Sequence, residues 1–417
     1  MNILFLSQLL PFPLDAGAKV RSYYTLRWLA DKHQVTLATF TRPDDPPEAM
    51  EHLRSICQAV HTVPVERSMW RDALSLVGSM IRGQSFIINR DRSTTMGHLL
   101  ERLLAQQHFD AVHADQLWMA QFALRFALRV STDERYKDST GNIPSFDNYF
   151  VLDEHNACFQ IFERLAKGER HPLKRWLWQR EADLLRCYEA AVCNQFDHVV
   201  TVTIGDRCTL ESLSHSERGA FPNFHTIPIC VDTANVPAVT PQGSNANVLY
   251  LGTMFWPPNV EGAVWFLKEV WPLVRHELPQ ATFTIAGKNP PAELAALAVG
   301  QNVELTGYVP DPLPWLEQAR AFIIPLLSGG GMRVKIVEAW RWGLPIVSTT
   351  LGAEGIDYRD GENLLIANTP ADFAAAVLRL LREPDLNQRL RVNGRRWVEE
   401  HYDYRRVYGA WDEVYQE

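Results

Sequence analysis

The chain is 417 residues long, 46% hydrophobic and 22% charged, with 41 Lys and Arg against 49 Asp and Glu and a formal net charge of −8. That length suits two domains of ordinary size, each with its own core, and the composition is that of a soluble globular protein rather than a disordered or fibrous one. The acidic balance argues against bulk nucleic-acid binding, because no basic stripe is present to release phosphate counterions.

The chain enters a strand directly, without the charged-then-apolar pattern of a secretory leader. No apolar run reaches the roughly 18 residues a membrane span requires, so a cytoplasmic protein is expected, with contact at the inner face of a membrane left open. Strands are predicted at Ile3–Ser7, Val35–Phe40, Ala111–Ala114, Phe150–Asp153, His198–Val202 and Thr226–Pro228. Helices are predicted at Val20–Lys32 and, as one long element, within Phe159–Phe196. Periodicity breaks over Val231–Asn247, where Pro237, Pro241, Gly243 and Ser244 interrupt it. It restarts at Val248–Leu251, and strands follow at Ala281–Ala286, Val303–Thr306, Ala321–Pro325, Ile346–Thr349 and Leu364–Ile366, with a helix at Asp372–Arg382. Such regular alternation predicts an α/β protein with parallel sheets covered by helices on both faces. Two Rossmann-like domains are expected, at 1–236 and 245–390, with a helical, aromatic-rich tail at 391–417.

The segment most telling of chemistry is Ser328-Gly-Gly-Gly-Met-Arg-Val-Lys-Ile-Val-Glu338, a glycine-rich loop running into a helix that stops at Gly343 before Pro345. Consecutive glycines let a ligand approach the backbone N–H groups. A helix N-terminus attracts anions, and Arg333 and Lys335 in its first turn suit a group carrying more charge than a carboxylate, such as a diphosphate. Glu338, about one turn on, is placed to accept from ribose hydroxyls. The same residues are compatible with a plain flexible loop and an i,i+3 surface pair.

Six cysteines show neither a CxxC pair nor a histidine at zinc spacing, and read as buried or free thiols in a reducing compartment. Asp44-Asp45 and Asp311 are the acidic groups available for a metal, but the first lies in a proline-rich connector and the second in a different setting, so no metal site is expected. His171–Arg180 mixes basic residues with two tryptophans, and Ser68–Arg82 is apolar with basic ends. Either fits an anionic membrane surface or ordinary one-sided burial. The polar stretch Ser131–Asp147 reads as a loop on the acceptor side or a plain insertion.

Taken together, Gly329–Glu338 with Glu-Ala-Trp-Arg-Trp-Gly-Leu-Pro-Ile-Val-Ser-Thr, Asp15-Ala-Gly-Ala-Lys-Val-Arg21, Val112-His-Ala-Asp115, Val151-Leu-Asp-Glu-His-Asn156, Ile227–Asp232 and Val303–Val309 resemble the retaining glycosyltransferases of family 4. The resemblance covers nearly the whole chain and implies the GT-B fold: two doubly wound domains facing across a cleft, with a C-terminal helix crossing back onto the first. It implies a nucleoside diphosphate sugar, expected to be UDP-linked, as co-substrate, with no cofactor and no metal. The implied donor-side residues are Gly17, Ala18, Tyr308, Val309, Gly330, Gly331, Met332, Glu338 and Glu354, with Arg333 and Lys335 on the diphosphate and His155 approaching the donor sugar. His113 and Asp115 are implied on the side of a glycan, lipid-linked or small-molecule acceptor, with structural polar residues at a strand end as the alternative reading. Two features depart from the family: Gly330 stands where the first of a pair of glutamates is usual, and no basic residue occurs from Leu251 through Phe266. Arg333 and Lys335 are expected to supply the missing charge. An epimerase or hydrolase on the same architecture, and a non-enzymatic hinge-closing binding protein, are the alternative readings.

Overall fold

A computed structural model describes residues 1–65, 68–132, 149–214, 222–240, 246–254, 256–309 and 311–416, with only the backbone of 126–132. Met1–Ile229 with Tyr408–Glu417 form one compact unit and Cys230–Val407 the other. The division thus falls earlier than the expected linker, of which Pro241, Gly243 and Ser244 lie outside the described residues, as does most of the predicted loop Ser131–Asp147. The tail divides as well. Its helix Pro384–His401 buries Leu386, Leu390 and Val398 in the second unit, and only the residues from Tyr408 onward pack on the first.

The first unit holds strands β1 (Asn2–Ser7), β2 (Gln34–Thr41), β3 (Ala59–Pro64), β4 (Ala111–Asp115), β5 (Tyr149–Glu154), β6 (His198–Thr201) and β7 (Asn223–Thr226). They form one parallel sheet in the order β3-β2-β1-β4-β5-β6-β7. Its inner strands β1, β2 and β4–β6 are buried almost throughout, as two covered faces require, while the edge strands β3 and β7 are partly exposed. Order reverses between β1 and β4, where Ser7 stands opposite Asp115. Between β5 and β6 the predicted long helix is instead two, Cys158–Gly168 and Pro172–Cys193, broken around Gly168 and Pro172 and packed on each other. Tyr408, Trp411 and Val414 are fully buried and complete this unit's core.

The second unit repeats the pattern with β8 (Asn247–Leu251), β9 (Thr282–Ala286), β10 (Val303–Gly307), β11 (Ala319–Ile324), β12 (Ile346–Ser348) and β13 (Leu365–Ile366), parallel in the order β10-β9-β8-β11-β12-β13. Its core centres on Phe266, Trp271, Phe283 and Phe373, whose rings meet at 4.8–6.1 Å between centroids. Reversal here lies between β8 and β11. In open parallel sheets, ligands bind beyond the carboxyl ends of the strands at such reversals. Among the described residues no helix is long and apolar enough to cross a membrane, and all six cysteines are free thiols.

Candidate active site

In the second unit the predicted donor residues follow β10 (Tyr308 and Val309), β11 (Gly330 to Glu338) and β12 (Glu354), on the side of the sheet where the carboxyl ends of β8, β9 and β10 lie next to one another. Backbone joins these ends edge to edge: Gly252 N donates to Ala286 O at 2.9 Å, and Gly287 N to Gly307 O at 2.8 Å. A Cβ on Gly287 would overlap the Gly252 carbonyl, and one on Gly252 would come within 2.5 Å of Lys335 Nζ. At Gly287, where the obstacle is backbone, only glycine permits this approach. A continuous row therefore runs from Tyr308, just after β10, through Gly287 and Gly252 to the ammonium of Lys335. Tyr308 is exposed and lies 4.3 Å under Lys288 Nζ, a cation–π contact; Val309 follows it, half-buried.

The glycine loop enters helix Val334–Arg341 with Gly329 and Gly331 at positive φ (115° and 78°) and Met332 buried. The helix stops at C-cap Trp342, and Gly343 follows with φ 67°. Lys335 sits in the first turn as expected, but Arg333 does not: it occupies the N-cap position. From there its guanidinium folds back over the loop, donating to Gly330 O (2.7 Å), Leu351 O (3.2 Å) and Glu354 Oε2 (3.3 Å). Arg333 and Glu354 thus brace the loop against the turn after β12. Lys335 Nζ donates to Asn259 Oδ1 (3.0 Å) and lies 5.1 Å from the centroid of the Tyr250 ring. Burial, with Arg333 adding to it and Glu338 opposing, lowers its pKa to about 8. Burial likewise raises the Glu338 carboxyl, against the pull of Arg341 and Lys335.

In the first unit a buried polar network stands at the ends of β1, β4 and β5. Asp115 accepts from Ser7 Oγ (2.8 Å), Ser22 Oγ (2.7 Å) and His155 Nε2 (2.9 Å). Asp153 is clasped by Arg21 through Nε (3.0 Å) and Nη2 (2.9 Å), with His155 Nε2 at 3.7 Å. Burial opposes charge on both, but each outweighs it for the other: Asp153 is held well below the usual carboxylate range and Arg21 above its ordinary value. His155 is buried too, yet Asp115 and Asp153 overcome that cost and raise its pKa to about 9. It is an imidazolium at neutral pH, a donor rather than a base, and its buried Nδ1 has no hydrogen-bond partner.

Ser22 Oγ also bonds Ala18 O at 2.9 Å, tying this network to helix Gly17–Ala30, whose first turn, at half-buried Gly17 and Ala18, carries no side-chain cap. His113 has the surroundings of its structural alternative. It is fully buried, stacked 4.3 Å from Phe5 and 2.7 Å from the Tyr415 hydroxyl, and burial pushes its pKa down to about 4. Asp115 is equally inaccessible. Asp115 holds His155, and His113 holds the tail through Tyr415.

His113, Asp115 and Asp153 stand close enough to share a cation, but Arg21 already occupies Asp153. Asp45 and Asp311 accept from local backbone N–H groups instead. Sequence reasoning missed Arg21, Asp153, Ser7, Ser22 and Asn259 as members of these clusters. Arg21 and Asp153 lay inside quoted motifs; nothing local marks Asn259, whose role depends on a lysine far along the chain.

Residues 245–383 match the family model described as Glycosyl transferases group 1. Over 421 aligned residues the chain is 23% identical to an "Uncharacterized 44.6 kDa protein in cps region" of Klebsiella pneumoniae, with 98% of each covered. In three dimensions the whole chain superposes on Anabaena Alr3699/HepE crystallised with UDP and glucose (TM-score 0.67, 12% identity, 99% of that chain covered) and with UDP-glucose (0.66, 13%, 99%). It superposes equally on sucrose-phosphate synthase from Thermosynechococcus elongatus (0.67, 14%, 98%). A group 1 glycosyltransferase domain at 245–383, within a chain that has the GT-B fold along its whole length, supports a glycosyltransferase.

Proposed function

We propose that this protein transfers a sugar from a UDP-sugar to a hydroxyl acceptor, with retention and without a metal, as its resemblance to family 4 implies. The observation that carries the donor half is the position of Lys335 Nζ, pressed against Gly252 at the end of β8. That strand end has no basic residue of its own through Phe266. A charge arriving from the helix stands where the diphosphate of the donor lies across glycine backbone. Relatives of this fold crystallised with UDP and UDP-glucose support the choice of base.

In this reading Lys335 and the N–H groups of Gly330 and Gly331 take the charge that grows on the departing diphosphate. Preorganised donors of this kind contribute a few kcal/mol each in the transition state. Arg333 and Glu354 fix the loop, Met332 packs beneath it, and Glu338 accepts from the ribose. Tyr308 and Val309 flank the base. His155, protonated, donates from Nδ1 to a sugar hydroxyl near the open first turn at Gly17 and Ala18. The departing diphosphate itself takes the acceptor proton, since no carboxylate nucleophile is singled out.

Calorimetry with UDP and GDP, with and without EDTA, tests the donor site. UDP binding that survives EDTA and weakens about 10- to 100-fold in Lys335→Ala is expected, the loss of one charge-assisted contact. Because the ligand favours protonated Lys335, affinity should fall as pH rises past about 8. Well-folded protein that binds neither nucleotide would refute the reading. Arg333→Ala should lower affinity by loosening the loop; unchanged affinity and turnover would remove it from the mechanism. Donor consumed without any acceptor would favour the hydrolase alternative.

A further inference from the structure

Helix Met69–Arg82 is built inside out. Its inward residues are Asp72, Ser75, Leu76 and Ser79, with Ser79 buried, whereas Met69, Trp70, Leu74, Val77, Met80 and Ile81 face outward at 39–88% exposure. A helix of a globular domain ordinarily turns its apolar stripe to the core. Here residues 70, 74, 77 and 81 form that stripe on the solvent side. Six of the fifteen large hydrophobic residues exposed among the described residues belong to this one helix. Arg180 Nη2 donates to Ser79 O at 2.9 Å and so brings helix Pro172–Cys193 alongside, and one and two turns before Arg180 that helix exposes Trp176 and Leu173. Exposed Arg71, Arg82, Lys174 and Arg175 lie on the same two segments.

Behind the helix lies a cavity of about 310 Å³. Arg71, Asp72 and Ser75 form its helical wall, and the carboxyl ends of β1, β2 and β3 close the other side. Among the described residues its lining includes Arg42, Arg71, Arg90 and Arg92 against the acidic groups Asp72 and Asp91. Asp91 already accepts from Gln8 Nε2 (2.7 Å) and Arg90 Nε (3.2 Å), so the cavity as a whole favours an anion. One helix therefore presents hydrocarbon outward and helps to enclose guanidinium groups inward.

We infer that this face lies in the interface of a bilayer bearing anionic headgroups, and that the cavity behind it receives the phosphate of an acceptor whose hydrocarbon tail stays in the membrane. The word acceptor rests on the transferase reading; the docking does not. An apolar stripe with arginine and lysine on the same helices matches acyl chains below and lipid phosphates at the rim, the combination by which amphipathic helices hold to membranes. The arginines suit phosphate through their planar forks of donors.

Co-sedimentation of the full chain with vesicles tests this. Binding is expected to vesicles of phosphatidylcholine with phosphatidylglycerol, weaker to phosphatidylcholine alone, and reduced by salt. The double variant Trp70→Glu, Leu74→Glu should partition about tenfold less or worse, because two apolar side chains no longer enter the lipid. Its melting temperature and UDP binding should be those of the parent. Arg42→Ala with Arg92→Ala should weaken binding to vesicles carrying a polyisoprenyl diphosphate more than to those carrying phosphatidylglycerol; equal loss on both overturns the cavity assignment. Parent protein left in the supernatant with every vesicle, or a double variant that binds as well as the parent, overturns the docking. So does a dimer in sedimentation velocity that the same double variant disperses, which assigns the face to a second copy. Loss of UDP binding by the parent would defeat the transferase reading and leave the vesicle result standing by itself.

Discussion

Asp115 shows how one carboxylate can organise a buried polar cluster. It accepts from a strand-end serine, a helix serine and His155, and removing its charge leaves three buried donors around an amide. Asp115→Asn is expected to cost about 3 kcal/mol in urea unfolding, as for other broken buried pairs. The pH profile should change as well. His155 has its folded pKa raised to about 9, so its contribution is full below the ordinary histidine value near 6.5 and is lost as pH rises through about 9. The variant, in which only Asp153 still favours the imidazolium, should show a smaller decline. Beside it Glu154 is fully buried with neither oxygen hydrogen-bonded, and burial, then Glu189, Asp153 and Asp206, raise its pKa well above normal. A carboxyl raised in the folded state stabilises below about pH 4.5 and less as pH rises through its folded value. Between about pH 5 and pH 8 the parent should therefore lose melting temperature more steeply than Glu154→Gln, and parallel slopes would contradict this.

Among the elements, the helix that carries Lys335 is itself held from behind. Trp340 is fully buried, donates to Asn363 O at 2.9 Å, and presses on Gly394 of helix Pro384–His401 so closely that a Cβ there would overlap the indole. Gly394→Ala should cost about 1–3 kcal/mol by overpacking, read as a lower melting temperature, and should weaken UDP binding by displacing the loop helix. Most elements were legible because their signal is local: buried parallel strands read as short β-branched runs, and all but one of the thirteen strands among the described residues were anticipated within a few residues. The exception, Ala59–Pro64, is a half-exposed edge strand in which His61 and Thr62 interrupt the apolar run and a proline closes it. Packing, not periodicity, makes it a strand. The division of the helix within 159–196 was in principle legible from Gly168 and Pro172. The position of Arg333 was not, since a capping residue and a first-turn residue differ by a single ψ angle, here 77°.

For the whole molecule, the doubled β–α architecture followed from the repeated strand–helix alternation, while the partition of the tail did not. Nothing in an aromatic-rich helix states which of two cores it will enter. The structure gives Tyr408, Trp411, Val414 and Tyr415 to the first unit, where Arg21 lies 4.9 Å from the Trp411 ring and His113 meets the Tyr415 hydroxyl. A chain ended after Val407 should thus keep a folded second unit but lose the first. Limited proteolysis should cut within Met1–Ile229 and spare Cys230–Val407, and equal resistance of both would contradict the assignment. This arrangement also sets an order in time. Ribosomes add roughly 5–20 residues per second, so the first sheet is made and then waits through synthesis of all of Cys230–Val407, on the order of ten seconds or more, for the aromatic side chains that close it. The part of the protein born first is the last to be finished, and any nascent chain stalled short of Tyr408 displays an open core to chaperones and proteases.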